Sequence, residues 1–344
     1  MTFPFKNMVF EGGGVKGIAY VGVMKVLEEK NILGQIDRVG GTSAGAINAF
    51  LYAAGYNVAE TNDVMRELDF NKFKDDSWGV IRDSKRLINE FGLYKGNYFK
   101  SWLKKLLERK GLSSNITFKK LHETTGKQLF VYATNLSTNF GEIYSPEHTP
   151  RMRIVDAVRR SMSIPLFFKA IRDDRDDVFV DGGVINNYPV KLFDRDKYLS
   201  NRSLVRIPTY YEAENQKLRD EGLNISQYMY NKETLGFRLD SGKEIAVFRD
   251  GAEPQRNDIE NFLDYAWQLI GTVLSVQDSQ HLHSDDWHRT VYVDTLGVGT
   301  TEFNLSDDKK NALVESGELA ARRYFEWWED EENDLAINHP NSTS

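Results

Sequence analysis

Short apolar runs alternate with longer segments of helical periodicity over the first 54 residues. Asn7–Phe10 and Ile36–Gly40 are apolar runs of strand length, and each is followed by a glycine-rich turn. Val15–Lys30 repeats its apolar residues with the helical period, and Ala44–Ala54 consists mainly of small and apolar residues. This order of strand, loop, helix, strand, turn and helix predicts an α/β protein with parallel strands.

The rest of the chain shows the same two periodicities. Glu60–Lys110 is predicted to be mostly helical, with Asn97 as the N-cap of a helix that stops at Gly111. Further predicted helices are Thr117–Thr125, Arg153–Met162, Ile259–Leu282 and Ser306–Trp328, the last of which is capped by Ser306. Further predicted strands are Gln128–Ala133, Gly141–Tyr144, Val178–Val180, Thr234–Leu239 and Thr290–Asp294.

One domain over residues 5–330 is the simplest organisation, because no repeat and no linker divides the pattern. Arg195–Lys232 is polar and irregular, so residues 195–232 are predicted to form a surface insertion or flap. Residues 331–344 are acidic and then rich in Ser, Asn and Pro, a composition that predicts a disordered tail.

Composition narrows the class of protein. A hydrophobic content of 40% and a charged content of 28% are typical of a soluble globular chain, and no run of about 18 apolar residues occurs. The N-terminal stretch is too short and polar for a signal peptide, so we expect a cytoplasmic protein or one delivered without a cleavable signal. The absence of cysteine excludes disulfides, thiol catalysis and cysteine-ligated metal.

The net charge of −7 gives no electrostatic reason to expect nucleic acid as a partner. One local basic patch allows contact with a membrane surface, although a solvated helix face is the favoured interpretation. Its residues are Lys100, Lys104, Lys105, Arg109 and Lys110.

The run Gly41-Thr42-Ser43-Ala44-Gly45 has the form of a turn that presents a nucleophile. A serine between a strand and a helix lies on a strained backbone, and the small flanking residues avoid a clash there. The helix that follows directs its N-terminus at the reacting group. The alternative is a small-residue turn that only allows close packing of helix and strand.

A second glycine-rich run, Gly12-Gly13-Gly14-Val15-Lys16-Gly17, precedes the first predicted helix. Successive backbone N–H groups in such a loop can bind an anion, and in a hydrolase they can form an oxyanion hole. The run also fits a dinucleotide fingerprint, with Asp37 about 20 residues further on. A plain helix-start turn is the third possibility.

The third run, Asp181-Gly182-Gly183, follows the predicted strand Val178–Val180. We expect the carboxylate at the strand's C-terminal edge, where open α/β sheets place their ligands, although Asp-Gly is also a common turn signal. The six histidines are His122, His148, His281, His283, His288 and His339, and none lies in such a turn. Asp181 is therefore a better candidate base for Ser43, provided that desolvation and positioning strengthen it.

The three runs together resemble the bacterial branch of the patatin-like phospholipase family. The family's signatures are a GGGxKG or GGGxRG loop, a GxSxG turn and a DGG or DGA motif. They read GGGVKG at Gly12–Gly17, GTSAG at Gly41–Gly45 and DGG at Asp181–Gly183, in the family's order. The stretches GIAYVGVMKVLEE, SMSIPLFF and DGGVINNYPV extend the resemblance over most of residues 5–330.

The resemblance implies a three-layer α/β/α sandwich around a mostly parallel central sheet, and a Ser-Asp dyad without histidine. Ser43 would be the nucleophile, Asp181 the base, and the backbone N–H groups of Gly12, Gly13 and Gly14 the oxyanion hole. The supporting residues would be Lys16, Gly17, Gly41, Ala44, Gly45, Gly182 and Gly183. Ile164 and the run Pro165, Leu166, Phe167 and Phe168 would border an acyl channel, although plain core is the simpler role for each.

The implied activity is hydrolysis of fatty-acyl esters of phospholipids or lysophospholipids through an acyl-enzyme, with no cofactor and no metal. Peripheral contact with a membrane follows from that substrate, and an unknown protein or small-molecule activator is compatible with it. Four alternatives stay open: a histidine-assisted esterase, a neutral-lipid lipase, an acyltransferase and a dinucleotide-binding module.

Overall fold

The computed structural model describes residues 3–73, 87, 89–202, 205–223, 225–241, 285–300 and 302–330, and single positions between 253 and 272. Most of the predicted helix Ile259–Leu282, three of the six histidines (His281, His283 and His339) and the predicted tail 331–344 lie outside these residues.

The central sheet is mixed but mainly parallel. Its strands are β1 (Asn7–Phe10), β2 (Arg38–Thr42), β4 (Gln128–Asn135), β5 (Phe140–Tyr144), β7 (Ile171–Arg172), β8 (Val178–Asp181), β11 (Thr234–Asp240) and β12 (Thr290–Asp294). The order is β12-β11-β1-β2-β4-β8-β7, and β5 also pairs with β4. The pairs from β12 to β4 are parallel, whereas β5, β7 and β8 pair antiparallel with their neighbours.

Two short strand pairs lie outside this sheet. Strand β3 (Gly92–Tyr94) pairs parallel with β6 (Leu166–Phe168), and β9 (Val205–Arg206) pairs antiparallel with β10 (Tyr230–Asn231). The helices are α1 (Tyr20–Glu29), α2 (Ala44–Ala53), α3 (Val58–Glu67), α4 (Asn97–Arg109), α5 (Phe118–Thr125), α6 (Ile154–Ser161), α7 (Gly183–Asn186), α8 (Thr209–Asp220) and α9 (Asp307–Glu329).

Strand alternation divides the core between the two faces of the sheet. Met8 and Phe10 of β1 belong to the large cluster formed with the helices, and Val9 belongs to a smaller cluster on the opposite face. Short 3-10 segments, Val190–Phe193 and Asp196–Tyr198, cover that second face. The predicted α/β/α layering is thus confirmed, with layers of unequal thickness.

Several predicted elements differ in detail. Asn97 is the first residue of α4 and not its cap; the N-cap is Gly96, whose φ of +70° places it in the left-handed region. The predicted helix Val15–Lys30 begins as a 3-10 segment, Gly14–Ala19, and becomes α-helical at Tyr20. The stretch 195–232, predicted to be irregular, contains α8 and the pair β9–β10. No helix among the described residues combines the length and apolarity needed to cross a membrane.

Candidate active site

Ser43 forms the turn between β2 and α2, and its backbone is strained as the sequence predicts. Its φ is +53° and its ψ is −124°, a conformation that residues other than glycine adopt only when their surroundings enforce it. A Cβ at Gly41 would lie 2.5 Å from the carbonyl carbon of Gly45, and a Cβ at Gly45 would overlap the Phe10 carbonyl. The spacing of these two glycines therefore follows from close packing around the serine.

Sheet register brings Asp181 to the level of Ser43. Thr42 of β2 pairs with Tyr132 of β4, and the next residue of β4, Ala133, pairs with Asp181 of β8. Strand β8 runs antiparallel to β4. It therefore begins at the edge of the sheet where the parallel strands end, and Asp181 is its last residue. The Asp181 carboxyl thus lies beside the Ser43 hydroxyl.

The Asp181 carboxyl is desolvated and only partly satisfied. Oδ1 accepts the Gly183 N–H at 2.8 Å, whereas Oδ2 is buried and has no hydrogen-bond partner among the described residues. Burial raises the pKa of Asp181 to about 7, against smaller opposing effects of the Gly183 N–H and the Ser43 hydroxyl. A carboxyl with this pKa can accept a proton near neutral pH.

Helix α6 holds the other side of the serine. The Ser43 N–H donates to Ser161 Oγ at 2.9 Å, and Ser43 Oγ lies 3.5 Å from the sulfur of Met162. The Asp181 N–H donates to the Ser163 carbonyl at 2.9 Å. Ser161 at the end of α6 and the two residues after it therefore fix both Ser43 and Asp181, and no local pattern in the sequence indicates these contacts.

The glycine loop differs from the prediction at Gly12. The Gly12 N–H donates to the Asn187 carbonyl at 3.0 Å, so it is not available to an oxyanion. No described residue accepts from the N–H groups of Gly13 and Gly14. Gly14 has a φ of +56°, and a Cβ there would collide with the Thr300 carbonyl, so only glycine fits this position.

Glu11 and Asn187 hold this loop in place, and sequence reasoning did not single out either residue. The Asn187 amide donates to Glu11 Oε1 at 3.2 Å and to the Gly12 carbonyl at 3.3 Å. Glu11 Oε2 accepts the Leu239 N–H at 2.5 Å. Their positions beside the motifs could have indicated them, since Glu11 directly precedes the glycine loop and Asn187 lies six residues after Asp181.

The supporting residues lie around the same turn. Gly17 faces Ala44, and the Asn48 amide donates to the carbonyls of both, at 3.3 Å and 3.1 Å. The Lys16 side chain folds back toward Gly13. A Cβ at Gly182 would overlap the Tyr132 carbonyl, so this glycine allows β8 to end against β4.

The residues predicted to border the acyl channel separate into two groups. Phe168 is buried and packs under the Arg159 guanidinium at 4.9 Å, in a core position. Phe167 packs on Tyr94 and Phe303, with ring centroids 4.8 Å and 5.3 Å apart. Phe303 lines a small apolar cavity with Val15 and Ile18 of the segment after the glycine loop. Pro165 and Leu166 are half-buried.

The residues invoked by the other hypotheses lie elsewhere. Asp37 is exposed and precedes β2, at the end of the sheet opposite the glycine loop, where it could not meet a nucleotide ribose bound there. His288 lies before the start of β12 and makes edge-to-face contacts with Trp327 and Trp328, and burial lowers its pKa to about 4. The described residues contain no cluster of three or more acidic or histidine side chains suited to a metal ion.

Comparisons with known proteins agree with this arrangement. The profile of the patatin-like phospholipase family matches residues 8–194. The protein YqhO of Bacillus subtilis strain 168 is 29% identical, covering 93% of this chain and 98% of its own length. The protein R571 of Acanthamoeba polyphaga mimivirus is 32% identical, covering 91% of each chain.

A solved structure supports the same fold. VipD from Legionella pneumophila superposes with a TM-score of 0.58 at 18% identity, over 94% of this chain and 67% of that one. The fold and the family profile define a hydrolase that acts on lipid. The chain belongs to the patatin-like phospholipase family.

Proposed function

We propose that this chain hydrolyses fatty-acyl esters of phospholipids or lysophospholipids with Ser43 as nucleophile and Asp181 as base. The observation that carries the proposal is the Asp181 carboxyl, which is buried beside the strained Ser43 turn and whose Oδ2 has no hydrogen-bond partner among the described residues. Its pKa of about 7 lets it hold a proton briefly and release it again.

The first half-reaction forms an acyl-enzyme. Ser43 Oγ attacks the ester carbonyl while its proton passes to Asp181 Oδ2, and the carbonyl oxygen takes up the negative charge. The N–H groups of Gly13 and Gly14 are the proposed donors to that oxyanion, and the N-terminus of α2 adds a favourable dipole. Collapse of the intermediate breaks the ester bond, and Asp181 returns the proton to the departing alcohol.

The second half-reaction releases the fatty acid. Asp181, again a carboxylate, takes a proton from a water molecule that attacks the acyl carbonyl. The same two glycine N–H groups stabilise the second oxyanion. Ser43 leaves with the proton from Asp181, so the enzyme returns to its starting state and the products are a free fatty acid and an alcohol.

Apolar packing beside the loop suggests where the acyl chain lies. Val15, Ile18 and Phe303 line a small cavity, Val15 directly follows Gly14 in the chain, and Phe167 packs on Phe303. An acyl chain placed along these residues would bring its carbonyl to the loop. We propose this path in place of the predicted channel residues Pro165–Phe168, because the Phe168 ring is buried against the Arg159 guanidinium.

The experiment compares the wild type with Ser43→Ala and Asp181→Asn by lipidomic measurement of released fatty acids. We expect each variant to lose at least about 10⁴-fold in kcat with phospholipid and lysophospholipid substrates. Ser113→Ala, which removes an exposed hydroxyl that accepts the Asn115 N–H in the loop between α4 and α5, serves as the matched control and should retain full activity.

The same assay separates the alternatives. Cleavage of triacylglycerol in preference to phospholipid would assign a neutral-lipid lipase, and acyl transfer to an alcohol in preference to water would assign an acyltransferase. Full activity of Asp181→Asn would contradict the dyad and favour a histidine-assisted esterase.

A further inference from the structure

A cleft of about 520 Å³ opens near the N-terminus of α4, alongside α6 and β7. Its lining includes Lys100 of α4, Arg151 and Arg153 before α6, and Arg159 and Arg160 within α6. We call it the basic cleft. It contains none of the residues proposed above to react, and its volume is within the range of pockets that hold a small organic ligand.

Charge distinguishes the basic cleft from the rest of the molecule. Eight of its fifteen lining residues are Lys or Arg and three are Asp, although the whole chain has a net charge of −7. Concentration of like charges in a concave site raises the local potential and attracts counter-ions. Such a cluster is unfavourable unless an anion offsets it.

The acidic residues of the cleft offset only part of this charge. Asp156 binds both Lys100 at 2.6 Å and Arg153 at 2.5 Å. Arg151 and Arg160 have no carboxylate within ion-pair distance among the described residues. Arg160 is held by the Tyr144 hydroxyl at 3.1 Å and by the Phe179 ring at 4.1 Å, which fixes a guanidinium without neutralising it.

Arg159 forms a rigid wall of the cleft. It is 4% exposed, and it donates to Ser163 Oγ at 2.7 Å and to the Lys95 carbonyl at 2.9 Å. Its guanidinium passes so close to Gly96 that a Cβ there would lie 2.5 Å from Arg159 Nε. A wall that is fixed before a ligand arrives lowers the entropy lost on binding.

We infer that the basic cleft binds a small ligand bearing a phosphate group with more than one negative charge. Guanidinium groups match phosphate in geometry and bind it through paired N–H groups, and Arg151 and Arg160 are the cations left to do so. A singly charged carboxylate would leave part of this positive potential uncompensated. The phosphate can belong to a soluble compound or to the head-group of a lipid.

The cleft is linked to the site of the proposed function, and this second step rests on that function. Arg159 bonds Ser163, whose carbonyl accepts the Asp181 N–H, and α6 ends at Ser161, which accepts the Ser43 N–H. A ligand that repositions α6 would therefore alter the geometry of both Ser43 and Asp181. Occupancy of the cleft should change the reactivity of Ser43.

Calorimetric titration of the full chain with inorganic pyrophosphate tests the site. We expect Arg151→Gln/Arg160→Gln to weaken binding by at least about tenfold, because it removes two charge-assisted contacts. The matched control is Lys119→Gln/Lys120→Gln, which removes two exposed lysines that pair with Glu123 on α5. Far-UV circular dichroism confirms that each variant is folded, and Ser43→Ala should bind like the wild type whatever the chain hydrolyses.

Vesicle binding distinguishes the two sources of phosphate. Phosphatidylcholine vesicles carrying a phosphoinositide are compared with vesicles carrying phosphatidylserine at equal charge. Binding of pyrophosphate that depends on Arg151 and Arg160 supports a soluble ligand, and phosphoinositide-selective vesicle binding that depends on them supports a head-group. Failure of both probes to bind, or equal binding by the two double variants, would overturn the site.

The link to Ser43 has its own readout. The rate at which a fluorophosphonate labels Ser43 should change when pyrophosphate saturates the cleft, and the change should vanish in Arg151→Gln/Arg160→Gln. An unchanged rate at saturation would overturn the coupling while leaving the binding site intact.

Discussion

At the scale of single residues, two features set Ser43 and Asp181 apart from ordinary serines and aspartates. Ser43 has a positive φ enforced by glycine packing on both sides, and Asp181 is buried with one oxygen unsatisfied. Such strain and desolvation are unfavourable for stability, and proteins retain them mostly where chemistry needs them.

The pH dependence of hydrolysis follows from the pKa of Asp181. The base is active as a carboxylate, so kcat/KM should rise about tenfold per pH unit below pH 7 and level off above it. Initial rates with a soluble ester substrate measure this profile. A rate that is flat down to the ordinary aspartate pKa of about 4 would contradict the role of Asp181.

The contribution of Asp181 to the free energy of unfolding should fall as pH rises, which is opposite to the pH dependence of hydrolysis. The folded-state pKa is raised above the unfolded value, so Asp181 binds a proton more tightly in the folded chain between about pH 4 and pH 7. The wild type therefore loses stability as pH rises through that window, while Asp181→Asn carries no charge to desolvate. Urea unfolding should show that the free energy of unfolding of Asp181→Asn increases relative to that of the wild type from low to neutral pH. A difference in unfolding free energy that is the same at all pH values would be inconsistent with a buried, ionisable Asp181.

At the scale of elements, the glycine loop is held by a residue that lies far away in the sequence. Asn187 follows α7 and binds Glu11 and both backbone groups of Gly12, so β8 and its following turn determine where the proposed oxyanion donors lie. The loop is thus positioned by the segment that also carries Asp181.

Replacement of Asn187 tests this dependence. Asn187→Asp puts a second carboxylate against Glu11 in a buried site, so we expect a loss of about 2–4 kcal/mol in the free energy of unfolding. The fall in activity should exceed what the unfolded fraction explains, because the loop shifts. The isosteric exchange leaves the backbone bond in place, and a variant with wild-type kcat and stability would refute the proposed support of the loop.

The sequence predicted local elements better than the relations between them. Asn7–Phe10 and Thr290–Asp294 have the predicted bounds, and Ser306 caps the last helix by accepting the Lys309 N–H. Helix α8 was missed because TYYEAENQKLRD lacks an apolar stripe; it is fixed instead by Tyr211 and Asn215. The direction of β8 could not be predicted, because alternation along a strand does not specify which strand is its neighbour.

At the candidate site, the motifs were predictable and their supports were not. Gly12–Gly17, Gly41–Gly45 and Asp181–Gly183 were visible because glycine requirements act over a few residues. The engaged N–H of Gly12 depends on Asn187, and the packing of Ser43 depends on Ser161, both more than 100 positions away. Contacts between residues so far apart in the sequence do not affect the local pattern of apolar and polar residues, so the sequence alone does not predict them.

At the scale of the whole molecule, the chain beyond the family profile completes the sheet. Strands β11 and β12 pair on the outer side of β1, and α9 packs on α1 where Gly22 and Gly317 allow the backbones to approach. A buried network ties this part to the rest, since Arg289 binds Asp194 at 2.5 Å and 2.8 Å and Asp286 at 2.6 Å.

Loss of Arg289 should therefore affect global stability. Arg289→Leu leaves Asp194 buried without its cation and Asp286 with Lys191 alone, at 3.6 Å, and we expect a loss of about 3–5 kcal/mol in the free energy of unfolding. Chemical denaturation measures it, with Arg322→Leu, which removes an exposed arginine paired with Glu29 and Glu318, as a control that should change little. Equal effects of the two replacements would contradict a central role for the buried network.

Activation of Ser43 by Asp181 can be measured without any knowledge of the lipid substrate. The most direct measurement is the rate of fluorophosphonate labelling of the intact protein, with the modified residue identified by peptide mass spectrometry. We expect a single adduct on Ser43, which forms more slowly as pH falls below about 7 and is almost abolished in Asp181→Asn. An adduct on another residue, or labelling of Asp181→Asn at the wild-type rate, would contradict it.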